Sequence, residues 1–301
     1  MINRLLIRIK VLQTLYACSM RGNLTVDDAT ALLEEGLEAS YRLYVTLCGL
    51  PLALKAAAEK RLLREEDKFQ RSAEVARTLQ KIIHNPVFDL YNESESTFPA
   101  TYRETAFDSP ELTRYHENVL TELLKDRETA ELNTGSEAET KKWWREKYGV
   151  HYLQNKAFEE LLTELTPYLN DDIRVVFTFV TKFVNALDSS KPLDANVKPK
   201  YADQEVQMFG PELLRESLEK GTEYRELTAG YLKNWDKGRV SEIDYIIMQM
   251  AVAEAVRYPL MPITIIINEY LNLAHYYSSA NSHVYINGIL NEMLKDLKEQ
   301  Q

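Results

Sequence analysis

Apolar residues recur at helical spacing along most of the chain. Leu5, Ile9, Leu12 and Tyr16 follow at i, i+4, i+7 and i+11, which at about 100° per residue makes one stripe. Asp27 and Asp28 acidify the start of a second, very long pattern through Leu32, Leu33, Leu37, Tyr41 and Tyr44 toward Leu62. Pro51 interrupts it and predicts a kink or a break, because proline lacks an N–H and crowds the preceding turn. Residues 92–110 lapse into Ser, Glu, Thr and Pro and read as a loop. Helical spacing resumes at 111–124, 137–148, 158–169 and 173–187. A polar stretch at 188–207, with Pro192 and Pro199, is the best linker, and four further helices can be drawn from Phe209 onward. Strand-like alternation is nearly absent, so the pattern predicts an all-α protein.

Composition sharpens this picture. Ten glycines and ten prolines in 301 residues imply few turns and long elements, and argue against Gly-rich nucleotide loops. Cys18 and Cys48 are too few for a disulfide framework or a thiolate zinc site, so the chain reads as intracellular and cytoplasmic. Apolar runs stay far short of the roughly 20 residues a bilayer needs. A net charge of -10 opposes bulk attraction to nucleic acid or anionic membrane. Charge is unevenly placed, however: Arg4, Arg8, Lys10 and Arg21 all precede the first acid, Asp27. That basic start allows a local phosphate site. A mitochondrial presequence is the competing reading, but no cleavage-like polar stretch follows.

Catalytic spacings are missing. The chain has no G-x-G-x-x-G, Walker loop, H-E-x-x-H, C-x-x-C or G-x-S-x-G. Five scattered histidines predict no metal site, since His275 and His283, the closest pair, stand eight residues apart and would need other ligands. No enzyme and no cofactor are expected. The segment 141–148 interleaves Trp143 and Trp144 with Lys and Arg; base stacking is conceivable, but burial of the rings is the favoured reading.

Two blocks stand out. In the first, Arg4 and Arg8 lie one turn apart beside the apolar stripe and Lys10 flanks its other side. Cations at a helix start oppose the macrodipole, which hints at an anionic partner. The second block runs from 235 to 290, beginning with Trp235 and Arg239. Ser241 and Asp244 form a capping-box-like pair, and Pro262 suits the opening of a helix. Gly288 inside a helix costs about 1 kcal/mol against Ala and predicts close approach of another helix.

These residues carry a resemblance. P-x-x-x-x-I-N-E-x-x-x-L-A at 262–274 and S-x-x-[FY]-[VI]-N-G-[VI]-L at 282–290, with a basic first helix ending in [LV]-Q-x-L-Y at 12–16, resemble the NusB family of transcription antitermination factors. The likeness is to its long, Bacteroidetes-like form with a central insertion. It implies three parts: N-terminal helices at 1–64, a helical insertion and linker at 65–205, and a NusB-like helical bundle at 206–301.

The resemblance also implies a non-catalytic regulator of transcription that pairs with NusE, a small-subunit ribosomal protein. The two would hold boxA-like single-stranded RNA and act in the elongation complex with other Nus factors, in rRNA transcription above all. Carried over by position, Arg4, Arg8, Lys10, Asn281, Ser282, His283 and Tyr285 are the expected RNA-binding residues. Tyr16 and Asp244 are expected at the NusE contact.

Two departures bear on this. Leu5, Leu6 and Ile7 stand where short members carry more arginines, and Val284 stands where lysine is common. A protein-only scaffold or ribosome-assembly factor that has lost RNA binding is therefore the main alternative. A third, an RNA-modifying enzyme, would need a methyl-donor domain, for which the middle offers neither strands nor a Gly-rich turn.

Overall fold

The computed structural model describes residues 1–89, 109–187, 196–232, 240–279 and 281–299. The predicted loop at 92–108, most of the predicted linker's first half at 188–195, and Trp235 and Arg239 lie outside them. The described residues contain thirteen α-helices and no strand, as the sequence pattern predicts. None is long and apolar enough to cross a membrane. The helices are α1 (Arg4–Arg21), α2 (Val26–Glu66), α3 (Ala73–Ile83), α4 (Pro110–Leu123), α5 (Arg127–Glu131), α6 (Glu137–Tyr148) and α7 (Lys156–Leu165). They continue with α8 (Ile173–Ala186), α9 (Gln204–Glu219), α10 (Gly221–Tyr231), α11 (Glu242–Arg257), α12 (Ile263–Tyr277) and α13 (Ser282–Glu299). From Gln204 onward there are thus five helices where the pattern suggested four.

The chain forms two compact units. A terminal unit joins Ile2–Glu38 to Tyr201–Gln301, and a central unit comprises Ala39–Lys200 with Met1. The first boundary lies inside α2, where composition gives no sign of one.

Local chemistry sets the ends of the first helices. Asn3 Oδ1 accepts the Leu6 N–H at 2.9 Å, and Gly22 ends α1 at φ 69°, a left-handed conformation that favours glycine. Thr25 and Asp28 exchange bonds across the start of α2, Asp28 N–H to Thr25 Oγ1 at 3.1 Å and Thr25 N–H to Asp28 Oδ2 at 3.0 Å.

In the terminal unit α11 is the central post. Its residues from Ile246 to Ala255 are buried, and it packs against α1, α9, α10, α12 and α13. A helix enclosed on all sides reads as apolar throughout rather than as a stripe. In α1 Leu6 to Leu12 are likewise buried without interruption, Arg8 and Lys10 among them, whereas Tyr16, assigned to the apolar stripe, is 41% exposed. Gly210 explains how α9 comes so close. A Cβ there would lie 3.0 Å from Ile7 Cγ2 and 3.4 Å from Leu33 Cδ2.

The central unit has an aromatic core. Phe88, Trp144, Tyr148, Tyr152 and Phe158 are all buried, with Tyr148 and Tyr152 stacked 5.0 Å apart. Trp143 is also buried, its indole N–H bonded to Thr129 Oγ1 at 2.9 Å, so neither tryptophan offers a face to a base. Between α6 and α7 a π-turn, Gly149–Leu153, closes with the Gln154 N–H on the Gly149 carbonyl at 2.8 Å.

Pro51 does not break α2; the helix runs through it for 41 residues. The missing N–H would leave the Leu47 carbonyl, four residues back, without its helical donor. The buried Tyr148 hydroxyl donates to that carbonyl at 2.5 Å. A side chain 101 residues away thus does the work of the absent amide.

Tyr148→Phe should therefore cost about 1–3 kcal/mol in urea unfolding, the penalty of a buried acceptor left unmet. In a Pro51→Ala background the new N–H serves Leu47 and the penalty should largely vanish; an equal penalty in both backgrounds would refute the replacement. His116 makes the stability of this unit depend on pH. It is buried, its Nδ1 lies 2.9 Å from the Tyr152 hydroxyl, and its Nε2 has no partner among the described residues. Burial lowers its pKa from 6.5 to about 4. The unfolded chain therefore binds the proton first, so stability is complete above about pH 6.5 and falls as pH drops toward 4. Denaturation at pH 7 and pH 5 should differ by about 2 kcal/mol, and His116→Phe should shrink that difference.

Candidate nucleic-acid and partner interface

The three cations of the first helix expected to bind RNA, Arg4, Arg8 and Lys10, do not share one environment. Arg8 is 3% exposed and forms a fork with Glu254, itself fully buried. Its Nε meets Oε2 at 2.8 Å and its Nη2 meets Oε1 at 2.6 Å. Nη1 donates to Glu269 at 3.0 Å, and the Tyr270 hydroxyl donates to Glu254 Oε2 at 2.8 Å. The guanidinium also lies over the rings of Phe209 (5.3 Å) and Tyr270 (5.9 Å). Burial alone would push the Arg8 guanidinium down, but Glu254, Tyr270 and Glu269 outweigh it and hold the group above its ordinary value. Burial, then Glu254, pushes the Tyr270 hydroxyl well up.

Lys10 is also buried. Its ammonium donates to Gln13 Oε1 at 3.2 Å and its stem lies 3.4 Å from where a Cβ on Gly36 would stand. Arg8 and Lys10, read from sequence as exposed cations, therefore present no charge at the surface. A helix enclosed all round leaves them nowhere else to point. Arg4 alone of the three reaches water, with 27% of its side chain exposed. It pairs with Glu205 and lies over Phe209 (5.0 Å) and Tyr258 (5.8 Å).

The second group of expected residues gathers at the corner where α12 turns into α13. Asp244 is 1% exposed and is the corner's post. Its Oδ2 accepts the Ser241 N–H at 2.9 Å and hydroxyl at 2.6 Å, Ser241 Oγ accepts the Asp244 N–H at 3.3 Å, and Oδ1 accepts the Ser278 hydroxyl. The capping box read from sequence is present. The same geometry leaves Asp244, expected at the NusE contact, buried with its oxygens accepting from Ser241 and Ser278 inside the fold.

Ser282 is buried and bonded to Ser279, hydroxyl to hydroxyl at 2.6 Å. Tyr285 is half-buried, and burial with Asp244 beside it pushes its hydroxyl up. Asn281 and His283 point outward. The corner thus unites Asp244 with Ser282 and Tyr285, residues assigned to different partners by position.

One exposed neighbour was missed. His275, in the last turn of α12, brings its ring within 6.3 Å of His283, nearly perpendicular at 80°. The two stand eight residues apart on different helices, so helical spacing gave no hint that they meet. Gly288 corrects another expectation: it is exposed, and nothing lies within 4 Å of the place a Cβ would take. No helix of this chain approaches it among the described residues. Val284, one turn earlier, is 59% exposed. Among the described residues no group of three His, Cys, Asp or Glu side chains could hold a metal ion.

The buried pair makes a clear prediction. Arg8→Met should destabilise by about 3–5 kcal/mol in chemical denaturation, because Glu254 keeps a buried charge without its cation. Pairing it with Glu254→Met should recover most of the loss. No recovery would mean that ring stacking, not charge, makes Arg8 necessary.

Comparison with known proteins bears on the same helices. The NusB family model matches residues 178–295. Transcription antitermination protein NusB of Salinibacter ruber is 29% identical over 114 residues, taking in 38% of this chain and 71% of the relative. Its namesake in Bacillus pumilus is 29% identical over 112 residues, 35% of this chain and 86% of the relative. That of Macrococcus caseolyticus is 34% identical over 89 residues, 30% of this chain and 68% of the relative. No solved structure matches the chain. The stretch matched by the family model carries the Glu254–Glu269–Tyr270 cluster and the α12–α13 corner, and with the Macrococcus relative 34% identical and covered to 68%, the chain belongs to the NusB family.

Proposed function

We propose that this protein is a transcription antitermination adaptor, without chemistry of its own, that pairs with NusE and holds boxA-like single-stranded RNA in the cytoplasm. It would work there with the elongation complex and other Nus factors. The observation that carries this reading is the corner: Asn281 and His283 stand exposed on a base built from Asp244, Ser241, Ser278 and Ser282. The relatives' name, transcription antitermination protein, supports it. Residues 270–291 contain no Asp, Glu, Lys or Arg, so this surface is fitted to stacking and hydrogen bonding with unpaired bases more than to capture of phosphates.

In this reading Arg4, Asn281, His283 and Tyr285 face the RNA. Arg8, Lys10 and Ser282 shape the surface from within. Tyr16, the exposed aromatic of α1, faces NusE, and Asp244 positions Tyr285. The alternative, a protein-only scaffold, is favoured by one observation: of the three α1 cations expected to meet RNA, Arg8 and Lys10 are buried and Arg4 is paired with Glu205.

Fluorescence anisotropy of a boxA oligomer with the NusE complex, across a salt series, separates the two. Binding is expected, and Arg4→Gln should reduce the slope of log affinity against log salt by about 0.7 if Arg4 meets one phosphate. No binding with NusE present would favour the scaffold. Tyr16→Ala should weaken NusE binding by about tenfold or more in calorimetric titration, as loss of an interface aromatic does. Asp244→Asn should lower the unfolding temperature, with a smaller effect on NusE. If Tyr16→Ala leaves NusE affinity intact, α1 is not the contact.

A further inference from the structure

We infer that the outward face shared by α12 and α13 is a base-reading stripe, on which Asn268, Asn272, Asn287 and Asn291 hydrogen-bond unpaired bases of a single-stranded RNA. The inference rests on the RNA reading above and deepens it, by naming residues that carry sequence preference.

Five of the chain's sixteen asparagines fall within 268–291. Four of these lie inside helices, two in α12 and two in α13. Asparagine is a weak helix former because its amide competes for nearby backbone groups. Core packing does not call for them either: Asn268, Asn272 and Asn287 are exposed and Asn291 is half-buried. Asn268, Asn272 and His275 follow at i, i+4 and i+7 and share one side of α12. His283, Asn287 and Asn291 follow at i, i+4 and i+8 and share one side of α13. The two helices pack together, and the His275 and His283 rings stand 6.3 Å apart where the chain turns between them. Running back from that contact along α12 and onward along α13 brings Asn272 and Asn268 level with Asn287 and Asn291. Other flanks of the two helices are turned into the fold, where Arg8 of α1 holds Glu269 and Tyr231 of α10 holds Asp296.

An asparagine amide offers a donor and an acceptor side by side, which matches a base edge. Unpaired bases present such edges, and most sequence-specific reading of RNA uses them. Asn291 Nδ2 donates to Asn287 Oδ1 at 2.7 Å and to the Asn287 carbonyl at 2.9 Å. The Asn287 amide is thereby held in one orientation, with its NH2 left to donate. Beyond Asn291 the same side of α13 carries Lys295 and Lys298, both exposed, which suit phosphates; Glu292 and Glu299 lie about 100° round the helix from it.

Gly288 adds an independent observation. Glycine weakens a helix relative to alanine, yet Gly288 is exposed and nothing lies within 4 Å of the place a Cβ would take. Its small size therefore serves no packing among the described residues. Next to Asn287 it leaves the helix backbone open to close approach by a nucleotide.

The test measures anisotropy of the NusE complex with a boxA oligomer and with a scrambled oligomer of the same length. The unmodified complex should prefer boxA. Asn268→Ala with Asn287→Ala should lower boxA affinity about tenfold or more and leave the scrambled oligomer within about twofold, since base contacts specify and phosphate contacts do not. Gly288→Ala should raise the unfolding temperature by about 2–4 °C and still weaken boxA binding by about fivefold or more. Lost binding in a more stable protein does not come from unfolding. Calorimetric titration with NusE should be unchanged in both variants. RNA binding without preference for boxA, a loss shared by both oligomers, boxA affinity intact in either variant, or a weakened NusE contact would overturn the stripe while leaving the RNA reading in place. No RNA binding by the unmodified complex would overturn both.

Discussion

One buried charge pair organises the terminal unit. Arg8 on α1 and Glu254 on α11 meet in a fork inside the protein, with Glu269 and Tyr270 of α12 closing the circle and Phe209 of α9 beneath. Four helices are therefore tied at one point. Such a pair gains little over well-packed apolar groups, but it punishes any arrangement that separates its members. Its contribution is to fix which turn of α1 faces which turn of α11.

This changes the meaning of the sequence signature. Glu269 and Ser282 lie within motifs that identify the family, and Asp244 stands just before them. All three hold parts of the fold together: Glu269 grips Arg8, Asp244 joins α11 to the end of α12, and Ser282 anchors the start of α13. The outward residues Asn281, His283 and Val284 flank the buried Ser282 on either side. A motif of this kind records packing first and contact surface second.

What could be read from sequence alone divides by distance along the chain. The all-α class, most helix spans and the Ser241–Asp244 capping box depend on neighbours within a few residues, and all were legible. Pro51 read as a kink or a break because its compensating partner, Tyr148, lies 101 residues away from Leu47. Arg8 and Lys10 read as solvent-facing because nothing local says that α1 is enclosed. Gly288 read as a close-packing glycine by general rule, whereas its Cβ position is open. At the candidate site the sequence offered two groups of residues, one on the first helix and one at 281–285 with Asp244. Which of them are buried, and that His275 joins them, came only with the corner's geometry.

The split of the terminal unit has a consequence for synthesis. Glu254 is made 246 residues after Arg8. At about 5–20 residues per second a ribosome takes roughly 12–50 s to cover that distance. For most of that interval α1, whose residues Leu6 to Leu12 are all buried in the fold, has none of its partners from α9 or α11. The central unit, Ala39–Lys200, emerges whole in the meantime and can fold first. The nascent chain thus carries an orphaned helix ahead of a folded body, and its first helix depends on whatever shelters it near the exit tunnel until Glu254 arrives.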